Sequence, residues 1–93
     1  MKYTVVLLKE PEGAYSVLVP ALPGCATMGD DVPEALDMAK DAIRCHLAGL
    51  AKEGLAPPPD AEGLSITAED WGEASEALVY RVTVPAGEEA VVA

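Results

Sequence analysis

The amino-acid sequence predicts an α+β fold of β-β-β-α-β order, with one long helix packed on one face of a sheet ordered 3-2-1-4. Three observations carry that expectation: short β-rich runs near the start broken by Pro- and Gly-containing reversals, a capped and strongly periodic helical stretch over residues 32–53, and a clean apolar alternation over residues 78–84. With 93 residues, the chain is expected to be a single domain, because one of this size buries only about 60 to 65% of the surface its unfolded form exposes. Half of the residues are apolar, yet there is one Trp, three Tyr and no Phe, so aliphatic side chains must fill the interior.

Residues 3–9 (Tyr3-Thr4-Val5-Val6-Leu7-Leu8-Lys9) are β-branched or apolar without alternation. A strand covered on both faces has this pattern, which predicts the central strand. Glu10-Pro11-Glu12-Gly13 makes the first reversal, since Pro fixes φ and Gly supplies the positive φ that a tight turn requires. Residues 14–19 return as the second strand and stop at Pro20, which has no N–H to give to a ladder. Pro23-Gly24 suits the centre of a type II turn, and Cys25-Ala26-Thr27-Met28 follows as a short third strand at the sheet edge.

The helix is the strongest element. Asp31 can cap its first free amides, Glu34 can reach back in an Asp version of the capping box, and Pro33 gives up only a donor that has no helical partner. Val32, Leu36, Ala39, Ile43, Leu47 and Leu50 recur at steps of three and four on one face, with Asp37, Lys40, Asp41 and Arg44 away from it. Gly54 ends it.

Pro57-Pro58-Pro59 makes a stiff, extended connector. Residues 60–77 carry little pattern, although Thr67-Ala68-Glu69-Asp70 suits the start of a short helix. Leu78-Val79-Tyr80-Arg81-Val82-Thr83-Val84 is the fourth strand, with Leu78, Tyr80, Val82 and Val84 inward, and residues 86–93 form an acidic tail. A right-handed helical crossover is expected to lay this strand beside the first, in parallel. One helix covers one face only. The doubly apolar first strand therefore needs residues 60–77 or a second copy over its other face, where Thr4, Val6 and Leu8 would otherwise mark an interface.

The formal charge is −10, with five basic and eight acidic residues in 1–53 against one and eight in 54–93. Binding to nucleic acid or to an anionic membrane draws on Lys and Arg, so this balance argues against both and favours a basic protein partner. No apolar run approaches the length of a membrane span. Cys25 and Cys45 fit neither a disulfide framework nor a zinc motif, which predicts reduced thiols in a cytoplasmic protein.

Tyr3 to Leu8, Glu12-Gly13-Ala14-Tyr15, the run Val19-Pro20-Ala21-Leu22-Pro23-Gly24-Cys25-Ala26-Thr27-Met28-Gly29-Asp30-Asp31, Pro33-Glu34-Ala35-Leu36, and Leu50, Gly54, Pro57 and Pro59 together resemble the HicB-like antitoxin domain. Ala14 and Ala21 depart from it, where the family often has Gly and an acidic residue. The resemblance implies a partial ribonuclease H-like fold and an antitoxin that neutralises a small basic RNA-cleaving toxin by covering it, as a dimer or higher oligomer. Many members continue into a DNA-binding region. Residues 60–93 offer one Arg and no helix pair, so operator binding by them is not expected.

No residue is singled out as catalytic, cofactor-binding or metal-ligating. Ribonuclease H chemistry needs carboxylates converging on metal from the first strand onward, and that strand has none. Glu10 and Glu12 lie in the adjoining turn and read as solvated surface, with a place in a partner or oligomer interface alongside Thr4, Val6, Leu8 and Trp71 as the other reading. Trp71 reads first as a cover for the core. Pro20, Pro23, Gly24, Cys25, Thr27, Gly29, Asp31, Glu34 and Ala35 carry the family signature with mainly structural roles. Neither cysteine has a helper beside it, because His46 follows Cys45 directly and successive helix positions do not face each other. The leading function is a non-catalytic, protein-binding antitoxin; the alternatives are a stand-alone structural or regulatory oligomer without a toxin and a metal-dependent nuclease.

Overall fold

At the centre of a four-stranded sheet runs β1 (Lys2–Lys9), flanked by β2 (Tyr15–Leu18) on one side and β4 (Glu76–Thr83) on the other, with β3 (Ala26–Gly29) outside β2. The order β3-β2-β1-β4 is the predicted one. Helix α1 (Val32–Lys52) connects β3 to the long segment that leads into β4. These elements come from a computed structural model of the chain, which describes residues 1–63 and 71–84. The expected short helix at 67–70 and the tail at 86–93 lie outside the described residues.

Each turn follows its sequence chemistry. Gly13 takes φ 99° in the first reversal, which is closed by Glu10 N–H donating to Ala14 O at 2.8 Å and Gly13 N–H to Glu10 O at 2.9 Å. Val6 pairs Leu18 and Lys9 pairs Tyr15 across the resulting antiparallel hairpin, and Tyr15 pairs Gly29 in the next.

The sheet buries one face against α1. Tyr3, Val5 and Leu7 of β1, Val17 of β2 and Val82 of β4 meet Ala35, Ala39, Ile43 and Leu47 of the helix, and Val84 closes one end of this core. The buried stripe of α1 thus steps by four from Ala35, while Val32, Leu36 and Leu50 of the expected stripe sit half-buried at its margins. Small residues occupy its start because β3 passes so close that a side chain on Gly29 would meet the backbone of Ala35. β1 is buried on its other face as well, where Val6 and Leu8 are each 1% exposed within the single chain.

One expectation is overturned. β4 runs antiparallel to β1, with Lys2 opposite Thr83 and Lys9 opposite Glu76. The cause lies in the connector. It first reaches β1 at its beginning, where the Tyr3 hydroxyl donates to Pro58 O and Thr4 bonds Asp60, and last at its end, where Ser75 N–H donates to Lys9 O at 2.9 Å. Having travelled the length of β1 already, the chain enters β4 from the far end and must run back.

Candidate functional site

The segment from Pro20 to Ala35 folds as two tight turns, a strand and a helix start. Leu22 N–H donates to Val19 O at 3.0 Å and Cys25 N–H to Leu22 O at 2.9 Å. Gly24, at φ 84°, occupies the third position of the second turn behind Pro23, as a type II turn requires. Leu22 and Cys25 anchor this loop in the core while Pro20, Pro23 and Gly24 stay exposed. Half-buried Thr27 stands opposite Val17 in the β2–β3 ladder. The N-cap forms as expected, with Glu34 N–H donating to Asp31 Oδ1 at 2.8 Å. Glu34 itself reaches one residue further back than the capping box requires, accepting from Asp30 N–H at 2.9 Å.

From this cap an acidic stripe continues along the outside of α1. Asp30 and Asp31 precede the helix, and Glu34, Asp37 and Asp41 follow at steps of three and four, all exposed. The spacing that keeps Asp37 and Asp41 off the buried face also lines them up with Glu34, a signal that was present in the sequence. Met38 is exposed beside them.

A second constellation joins the connector to the sheet. Asp60 Oδ1 accepts from Thr4 N–H at 2.8 Å and from Ala61 N–H at 2.9 Å, its Oδ2 accepts from the Thr4 hydroxyl at 2.8 Å, and Arg81 Nε lies 3.7 Å away. Burial pushes this carboxyl up, but the Thr4 and Ala61 bonds and the Arg81 charge outweigh it and hold the group below the usual carboxylate range. Tyr3, whose hydroxyl donates to Pro58 O at 2.6 Å, is pushed up by burial and then by the Asp60 charge. Asp60 escaped sequence reasoning because nothing local ties a residue after a proline run to the first strand.

The family model for the HicB-like antitoxin of bacterial toxin–antitoxin systems matches residues 3–84. The chain belongs to the HicB-like antitoxin family. A UPF0150 protein of Thermoplasma acidophilum is 46% identical over 69 residues, which cover 73% of this chain and all of that protein. Antitoxin HicB of Escherichia coli K12 is 44% identical over 43 residues, 46% of this chain and 31% of that one. Among solved structures, the N-terminal domain of Burkholderia pseudomallei antitoxin HicB superposes with a TM-score of 0.63 at 26% identity, covering 91% of this chain and 99% of that domain.

Within this HicB-like frame the remaining singled-out residues separate. Glu10 accepts from the Ser16 hydroxyl at 2.9 Å and so pins the first hairpin, whereas Glu12 projects into solvent. Thr4 spends both polar groups on Asp60, Val6 and Leu8 are covered by the chain itself, and Trp71 is half-buried. Among the described residues, no three His, Cys, Asp or Glu side chains come together to hold a metal ion, and no helix is long and apolar enough to cross a membrane. Cys25, Cys45 and His46 line one shallow cleft between the β3 approach and α1, a grouping that the sequence positions alone did not reveal.

Proposed function

We propose that this chain is a non-catalytic antitoxin of the cytoplasm that neutralises a small basic RNA-cleaving toxin by binding it. Membership in an antitoxin family supports the protein-binding role, and the observation that carries the finer reading is the acidic stripe from Asp30 to Asp41. Five exposed carboxylates on one side of a chain with formal charge −10 form a surface that attracts a cationic partner and repels nucleic acid. The proposed contact leaves the core untouched, since none of the five side chains is buried.

Co-expression of the chain with any small basic protein found encoded beside it tests this reading. Growth should be rescued, and the charge reversal Asp37→Lys with Asp41→Lys should weaken the purified complex by about 10-fold or more, chiefly through slower association at low salt. Absence of any complex at low salt would overturn the proposal. So would ribonuclease activity with Mg²⁺ or Mn²⁺ that disappears on replacing Glu10 or Glu12. Self-association is part of the same proposal: Met28 and Val79, 53% and 51% exposed on the sheet face away from α1, favour a second copy there. A stand-alone oligomer without a toxin would assemble equally well and rescue nothing.

A further inference from the structure

We propose that Cys25 and Cys45 form a reversible intramolecular disulfide that ties the approach to β3 onto the middle of α1. Both residues border the same cleft, of about 260 Å³, with Gly24, Ala26, Ala42 and His46 as the remaining lining. Strand and helix geometry bring them together. Asp30 and Asp31 alone separate β3 from α1, so the helix doubles back along the strand that precedes it. Close contact starts at Gly29, whose position lies 2.5 Å, as an added Cβ, from the Cα of Ala35. Stepping back four residues along the strand, from Gly29 to Cys25, covers about 13 Å. The same distance along α1 spans about nine residues and leads from Ala35 to the turn that holds Cys45. Along that length α1 carries alanines at 35, 39 and 42, the first two buried and the third half-buried against the core.

The two thiols differ in access, which assigns their roles. Cys45 is exposed and meets the oxidant, while Cys25, 7% exposed, waits beneath it. Burial pushes the Cys25 thiol up, and the nearby Cys45 raises it further, so Cys25 is the slower of the two toward reagents in solution. With hydrogen peroxide as oxidant, the Cys45 thiolate attacks one peroxide oxygen, the O–O bond breaks, and a sulfenic acid and hydroxide result, the hydroxide taking up the proton that the Cys45 thiol gave up and leaving as water. The Cys25 sulfur then attacks the Cys45 sulfur, the S–O bond breaks, and the departing hydroxide takes the Cys25 proton as a second water. Two electrons pass from the thiol pair to the peroxide, and a dithiol reductant returns them by exchange. The link closes a loop that contains the whole of β3 and the first two-thirds of α1, including the acidic stripe.

The inference is independent of toxin binding and is tested on the full chain alone. After treatment with dilute hydrogen peroxide and alkylation of remaining thiols, the intact mass should fall by that of two hydrogen atoms. Peptide mapping without reductant should join the Cys25 peptide to the Cys45 peptide, dithiothreitol should separate them, and the link should form faster in the folded chain than in urea. A Cys25→Ser variant should instead accumulate oxidised Cys45 or chain-to-chain dimers. If the unaltered chain gives that outcome, with Cys25 still open to alkylation after unfolding, the proposal is overturned.

Discussion

Asp60 accepts both polar hydrogens of Thr4, from the N–H to Oδ1 and from the hydroxyl to Oδ2, each at 2.8 Å. Met1 and Val84 exchange two bonds, so alternation along β1 points the Thr4 N–H toward β2. The β1–β2 ladder, however, begins only at Val6 opposite Leu18. The carboxylate thus stands in for the missing stretch of strand. Replacing Asp60 by Ala leaves this N–H unmade and should cost about 1–3 kcal/mol. Arg81, exposed over two-thirds of its side chain and 3.7 Å away, contributes far less, and Arg81→Ala should cost under about 1 kcal/mol. Urea denaturation separates the two; equal effects would show that the ion pair, and not the backbone bond, holds the connector.

The same clasp sets a pH dependence. Because the folded state holds Asp60 below its unfolded pKa, the stability it contributes is complete above the usual carboxylate range and is lost as pH falls through the folded value. Tyr3 acts in the opposite sense. Its raised folded pKa makes its contribution complete below about pH 10 and lost as pH rises through the higher folded value. Melting temperature measured against pH should show both limbs, with Asp60→Ala shrinking the acid limb and Tyr3→Phe the alkaline one. Unchanged limbs in both variants would remove the clasp as their source.

The elements of this fold were legible wherever the controlling interaction is local. Pro23-Gly24, the Asp31 cap and the steps from Ala39 to Leu47 each declare their geometry within a few residues, and all form as read. Strand order was legible too, because β1 is apolar on both faces and only a central strand can satisfy that. The sense of β4 was not, since it depends on how far the connector travels, and the anchors that decide this, Pro58, Asp60 and Ser75, bond residues more than fifty positions away in sequence. The candidate site divides the same way: the acidic row follows from helical spacing, whereas the placing of Cys25 and Cys45 on one cleft requires a strand and a helix to be measured against each other.

At the helix start, Asp31 satisfies the Glu34 N–H through one oxygen at 2.8 Å. Asp31→Ala should therefore cost about 1 kcal/mol, while Asp31→Asn, whose amide oxygen accepts the same bond, should cost only a few tenths. Thermal unfolding of the two variants distinguishes a cap from a charge effect. If Asn proved as damaging as Ala, attraction between the carboxylate and the helix N-terminus would be the larger contribution.

Two glycines beside or within α1 should respond to the same substitution with opposite signs. Gly29 needs no unusual φ; its constraint is space, because an added Cβ would lie 2.5 Å from both the Cα and N of Ala35. Those atoms belong to the first turn of α1 and move only if helix and strand part. Gly29→Ala should cost about 1–3 kcal/mol or more, as overpacking does, and should loosen the β3–α1 contact on which the proposed Cys25–Cys45 link depends. Gly49, exposed in the helix with nothing within 4 Å of an added Cβ, has room for the methyl group. There the change only removes the conformational cost of glycine in a helix, so Gly49→Ala should stabilise by about 0.5–1 kcal/mol. Denaturation midpoints moving apart in this way would place the tightest backbone approach of the fold between β3 and α1; a tolerated alanine at 29 would mean that the two elements stand further apart than the Ala35 distances require.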